Sequence, residues 1–140
     1  MARQKYLLDT CICIYWLRDK FNIKDHVNSV GMENCFISEI TIAELKVGKE
    51  YGKLKGGPKY KDERLEEFFE AINVIPVSPF FNHYAKEKAR LTIAGTPTGD
   101  FDLLIGCTSV AKKMVMVTQN TKDFENIKNI HLENWVDSQK

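Results

Sequence analysis

Four separate segments each bring an acidic or amide side chain to a point where an apolar run gives way to a polar turn or a helix start. Asp9 follows Leu7-Leu8, Glu44 lies one turn into the segment after Ser38, Asp102 opens an apolar stretch with Asp100 just before it, and Asn120 and Asp123 follow the run 114–117. Clustered carboxylates without counter-charges repel one another, and their chemical use is to hold a hard divalent cation that takes carboxylate and water oxygens. A Mg2+ or Mn2+ ion held by Asp9, Glu44 and Asp102 orients water for in-line attack on a phosphodiester, with room for a second ion at the leaving oxygen. Such chemistry needs no serine or cysteine nucleophile. Zinc does not fit, because His26, His83 and His131 are far apart and Cys11, Cys13, Cys35 and Cys107 lack zinc-site spacing.

Each of these residues also fits a purely structural role. Thr41-Ile-Ala-Glu44 matches the capping box in which Glu44 bonds the Thr41 amide. Either Asp100 or Asp102 suits the N-cap of the helix it opens. Asn120 suits the cap of a short turn over 120–125, and Asp123 a solvated turn position. Asp9 has the weakest structural explanation, since an acid ending an apolar strand meets no obvious local need.

The elements that must position these side chains follow from periodicity. Residues 4–8 read as a buried strand, and Thr10 as the cap of a helix to about Lys20. A strand over 35–38 runs into a helix from about Thr41 to Lys53, with Ala43, Val47, Tyr51 and Leu54 as its apolar seam. Gly56-Gly57-Pro58 breaks the pattern, and a helix over 60–72 carries Leu65, Phe68, Phe69 and Ile72, giving a helical hairpin. A strand over 74–77 precedes Ser78-Pro79, which starts a helix to about Ala94 with Phe81, Ala85, Ala89 and Ile93 four apart. A helix from about Asp100 to Lys112 is apolar nearly all round and so central; strands follow over 114–117 and 130–132. Continuous apolar strands between helices imply an α/β fold whose parallel sheet is covered on both faces. In such sheets the ligand crevice lies beyond the carboxyl ends of the strands, where these acids fall.

Composition bounds the reading. With 140 residues, 44% hydrophobic and 28% charged, the chain is expected to fold as one domain over 1–140. A net charge of +1 gives no bulk attraction to nucleic acid, so a nucleic-acid partner must be met by a patch. One candidate is the stretch 46–64, where Lys46, Lys49, Lys53, Lys55, Lys59, Lys61 and Arg64 oppose Glu50, Asp62 and Glu63; the alternative is a solvated hairpin surface. Trp16 and Trp135 are expected in the core. The cysteines read as reduced, mostly buried thiols, and with neither a signal-peptide apolar region nor a membrane-length run the expected location is the cytoplasm.

Leu7-Leu8-Asp9-Thr10, Ser38-Glu39-Ile40-Thr41-Ile42-Ala43-Glu44-Leu45, Gly99-Asp100-Phe101-Asp102-Leu103-Leu104-Ile105-Gly106 and Val117-Thr118-Gln119-Asn120-Thr121-Lys122-Asp123-Phe124 together resemble the PIN-domain family, in particular the VapC-type toxins of bacterial type II toxin–antitoxin modules. The resemblance extends to Leu132-Glu133-Asn134-Trp135 and so covers almost the whole chain. It implies an α/β/α sandwich with strand order 3-2-1-4-5 and a Mg2+- or Mn2+-dependent endoribonuclease acting on RNA such as tRNA or rRNA. Asp9, Glu44 and Asp102 match the family's principal acids. At the fourth position this chain has the neutral Asn120, and Asp123 supplies the carboxylate; Thr118 orients the site or a water, and Asp100 is a further candidate. The resemblance also implies a small cognate antitoxin that enters the acidic groove, and a homodimer. Two alternatives are a PIN-like RNA- or protein-binding module that no longer cuts and a phospho-acceptor receiver domain, the latter lacking a close acid pair after the first strand and a matching lysine.

Overall fold

Leu7 and Leu8 point to opposite faces of the first strand, and each is fully buried, so the sheet they begin must be covered on both sides. The computed structural model, which describes residues 3–57 and 60–137, realises this as five parallel strands. They are β1 (Tyr6–Leu8), β2 (Cys35–Ser38), β3 (Asn73–Ile75), β4 (Val115–Val117) and β5 (Leu132–Glu133), in spatial order β3-β2-β1-β4-β5. This is the expected 3-2-1-4-5 order. On one face Leu8, Ile37 and Val117 pack with α1 (Thr10–Leu17), α2 (Ile23–Val30), α3 (Glu39–Leu54) and α4 (Asp62–Ala71). On the other, Leu7, Ile75 and Met116 pack with Leu91 of α5 (Phe81–Ala94) and Leu103, Ile105 and Cys107 of α6 (Asp100–Ala111). Fully burying each such aliphatic side chain contributes about 1.5–3 kcal/mol.

Because all strands run the same way, their carboxyl ends share one edge of the sheet. The Asp9 amide donates to Val117 O at 2.9 Å and the Thr118 amide to Glu133 O at 3.0 Å, so the ladder holds the first residue beyond β1 and beyond β4 at that edge.

Several local expectations are corrected. Asp9, not Thr10, is the N-cap of α1, and Ser38, not Thr41, caps α3 by accepting from the Thr41 amide at 3.2 Å. Helix α2 was not anticipated. The expected α3 seam faces outward, with Val47, Tyr51 and Leu54 69%, 61% and 88% exposed, while Thr41 and Leu45 are buried. On α5, which follows a single turn of 3-10 helix at Ser78–Phe80, Phe81 and Ile93 are exposed and Glu87 and Leu91 buried. The reason is the same in both helices. A polar residue with a fixed partner can be buried without loss, and Thr41 meets the Thr10 hydroxyl while Glu87 accepts from Arg90 and from the Lys128 amide.

Within the basic stretch Lys49 and Lys53 face Asp62 and Lys53 also faces Glu50, while Arg64 grips Asp19 outside it. Gly56 and Gly57 take positive φ of 113° and 121° between α3 and α4; Pro58 and Lys59 lie outside the described residues. Trp135 is buried in the core as expected, whereas Trp16 is partly buried at its margin, edge-on against Phe68. All four cysteines are free thiols, three of them buried. Among the described residues no helix is long and apolar enough to cross a membrane.

Candidate active site

Asp9 leaves β1 and turns at once into α1, which directs its carboxylate back over the sheet edge, only 5% exposed. One oxygen, Oδ1, accepts from the Thr10 amide at 2.8 Å; the other, Oδ2, accepts from Thr118 Oγ1 at 2.8 Å and from the Cys11 thiol at 3.6 Å. Thr118 is fully buried and its hydroxyl also accepts from the Asn120 amide at 3.0 Å, so one side chain ties the end of β4 to Asp9. Burial raises the Asp9 carboxyl above the ordinary carboxylate range, the three hydrogen bonds oppose the rise, and the nearby Asp123 charge adds to it. Burial, and then the charge on Asp9, pushes the Cys11 thiol up to about 11, so it stays protonated as a donor.

Glu44 comes from α3, where the Thr10 hydroxyl donates to its Oε1 at 2.6 Å and lies 3.1 Å from Thr41 Oγ1. The capping-box explanation of Glu44 therefore fails, because the Thr41 amide already belongs to Ser38. Asp102 sits in the first turn of α6, whose N-cap is Gly99 without any side-chain cap. The N-cap role thus falls to neither aspartate. Among the described residues the Asp102 carboxylate has no hydrogen-bonding partner, and its pKa is pushed up to about 6, first by burial and then by the charges of Asp9, Glu44 and Asp123. Three carboxylates from three other segments are thus close enough for their charges to act on Asp102.

Asp123 closes a single 3-10 turn, Thr121–Asp123, and its amide donates to Asn120 O at 3.0 Å. Asn120 precedes that turn but its side chain does not cap it. Asp100 is turned away from the cluster: it is exposed, pairs with Lys88 and accepts from the Tyr84 hydroxyl at 2.9 Å. Thr10 and Cys11 are the contributors that sequence reasoning missed as site residues; the signal was their place directly after a strand-ending aspartate.

None of the four carboxylates has a cationic partner among the described salt bridges. Nor do any three His, Cys, Asp or Glu donors among the described residues close into a ready-made ligand set. An all-oxygen donor group with uncompensated charge, spread around a gap, suits Mg2+, which binds one or two carboxylates directly and keeps several waters. Asp9 and Asp102 are the donors whose charge is most strained by burial and so would gain most from a cation.

The PIN domain family model matches residues 6–130 of the chain. The chain is 32% identical to Ribonuclease VapC2 of Rickettsia felis, over 93% of its length and 97% of the relative's. It is 29% identical to the tRNA(fMet)-specific endonuclease VapC of Shigella flexneri, over 94% and 98% of the two chains. Its fold is similar to that of a chain in the crystal structure of VapBC2 from Rickettsia felis bound to a DNA fragment from their promoter, with a TM-score of 0.81 at 29% identity, covering 94% and 99% of the two chains.

Proposed function

The chain belongs to the PIN domain family, and on that premise we propose that it is a divalent-metal-dependent endoribonuclease acting as the toxin of a toxin–antitoxin pair in the cytoplasm. The observation that carries the metal-dependent site is Asp102, whose carboxyl is held near 6 by burial and by Asp9, Glu44 and Asp123, with no ion pair to relieve it among the described residues. Mg2+, or Mn2+ in its place, supplies an activated water and neutralises charge at the phosphodiester. Asp9 and Asp102 hold it, and Glu44 and Asp123 complete the acidic ring.

The surrounding residues fix these acids in place. Thr118, Thr10 and Cys11 together leave the Asp9 carboxylate little freedom to rotate, and the Thr10 hydroxyl fixes Glu44. Asn120 offers an amide oxygen where similar proteins often carry an acid, leaving Asp123 to bring the charge. The relatives named as ribonucleases support RNA, such as tRNA or rRNA, as the substrate. The VapBC structure supports a small cognate antitoxin as partner. Exposed Val47, Tyr51 and Leu54 on α3 and Phe81 and Ile93 on α5 supply apolar surface for that partner or for a second copy of the chain in a homodimer.

Incubation of the antitoxin-free chain with total RNA, in Mg2+ and again in EDTA, tests this reading. Discrete ends mapped by primer extension are expected in Mg2+ alone. RNA left intact by the folded chain under both conditions would defeat it.

A further inference from the structure

The loop after α1 holds a large aromatic ring in solvent, in a backbone conformation that disfavours it. Asp19, Phe21 and Asn22 have φ of 56°, 58° and 53°, a region that suits glycine or asparagine and strains a bulky residue. Phe21 is 42% exposed, so burial of its own surface only partly offsets that strain. Tyr15 holds it: the ring centroids are 4.7 Å apart and the planes 77° apart. In such an edge-to-face pair at least one face of Phe21 is left uncovered by its neighbour.

The pair is joined to the acidic cluster. The Tyr15 hydroxyl donates to Gln119 Oε1 at 2.6 Å, which fixes the amide with its two N–H donors unused by that bond. Gln119 directly follows Thr118, the donor to Asp9. Cys11, one turn before Tyr15 on α1, lies 3.6 Å from Asp9 Oδ2 and 3.8 Å from Thr118 Oγ1. One helical turn advances about 5.4 Å, so Tyr15 starts one turn from the thiol that touches Asp9, and its hydroxyl bond reaches back to the residue after Thr118. Charge follows the same layout: the loop itself carries Arg18 and Lys20, and the acid between them, Asp19, is taken up by Arg64 at 2.6 and 3.0 Å.

We propose that Phe21, Tyr15 and Gln119 form a nucleobase subsite next to the acidic cluster, in which an unpaired RNA base stacks on Phe21 and the Gln119 amide reads its edge. This inference rests on the ribonuclease reading. Sequence-selective RNA recognition works largely through splayed bases stacked on aromatic rings, which tolerates the open, strained geometry seen here. An amide whose oxygen already accepts from Tyr15 presents its two N–H donors, and so favours a base edge rich in acceptors, as guanine presents with O6 and N7.

The test uses single-stranded oligoribonucleotides carrying 2-aminopurine, whose fluorescence is quenched by stacking, bound in Mg2+ to the chain carrying Asp9→Asn so that cleavage does not intervene. Adding Phe21→Leu is expected to remove the quench and weaken binding about 5- to 150-fold, the range of one base stack, while Phe21→Trp retains both. Phe21→Asn, which suits the left-handed backbone, is expected to keep or raise Tm and still lose the quench; a merely structural Phe21 would not separate the two. With Asp9 intact, Phe21→Leu raises KM for RNA by a similar factor. If the quench, binding and kcat/KM are all unchanged in Phe21→Leu, the subsite is wrong although the nuclease reading stands, and Phe21 belongs to a protein-facing surface. If Phe21-dependent quenching is seen but the wild-type chain never cuts RNA, the nuclease reading fails and the stacking site stands.

Discussion

Replacing Asp102 by asparagine should make the metal-free protein more stable while abolishing its activity, and the size of the gain can be worked from the structure. The folded state holds the Asp102 carboxyl near 6 against an ordinary 3.8. A carboxyl whose pKa is raised by folding is held more tightly as the neutral acid, so its contribution is favourable at low pH. Stability is lost as pH rises through about 4 to 6, where the unfolded chain ionises first. A rise of that size corresponds to about 3 kcal/mol, and because the group is only half-buried, solvent screening brings the expected effect to about 1–2 kcal/mol. For a chain of this length that is about 3–8 °C in Tm. Thermal melts of wild type and Asp102→Asn in EDTA should therefore coincide near about pH 3.5 and diverge in favour of the variant by that amount near about pH 7.5. Added Mg2+ should raise the wild type and leave the variant behind. A variant that is no more stable at the higher pH, or a gap that does not change with pH, would refute the argument that these carboxylates repel one another across an uncompensated site.

Thr118→Val removes the donor to Asp9 and the acceptor of the Asn120 amide at a fully buried position; a loss of about 1–3 kcal/mol in denaturant melts and a 10- to 100-fold weaker metal response are expected, both restored by Thr118→Ser. Gly106 lets α6 approach the segment after Asp123, since an added Cβ would lie 2.4 Å from Ile127 Cδ1; Gly106→Val should cost about 1–3 kcal/mol and reduce cleavage by shifting that segment. Asp100→Asn, by contrast, should leave RNA cleavage unchanged, because Asp100 is exposed and paired with Lys88 outside the cluster.

The strands and the shared edge of the four acids were legible because the strand-ending signals are short-range. An apolar run ended by an acid fixes β1 and Asp9, and the parallel arrangement then brings Glu44, Asp102 and Asp123 to the same edge. Helix α2 was not, since Ile23 and Val27 are its only buried residues and its N-cap, Asn22, is left-handed without a side-chain cap. The inward faces of α3 and α5 were misread because spacing marks a stripe without saying which side meets the sheet. Val47 and Tyr51 look like core, yet Thr41 and Glu87 are buried through partners more than thirty residues away in sequence, Thr10 and Lys128. The rejection of Asp100 likewise depended on Tyr84 and Lys88, which only the packing of α5 on α6 brings near.

The central claim is that the Asp9-centred carboxylates bind the divalent cation with which the chain cuts RNA. Its most direct test is a Mn2+ titration followed by electron paramagnetic resonance, with RNA cleavage scored in the same samples, for the wild type and Asp9→Asn. Cleavage should rise in step with bound Mn2+ in the wild type, and both should be lost in a variant that remains folded. Cleavage that persists in EDTA, or in Asp9→Asn with Mn2+ binding intact, would contradict the account.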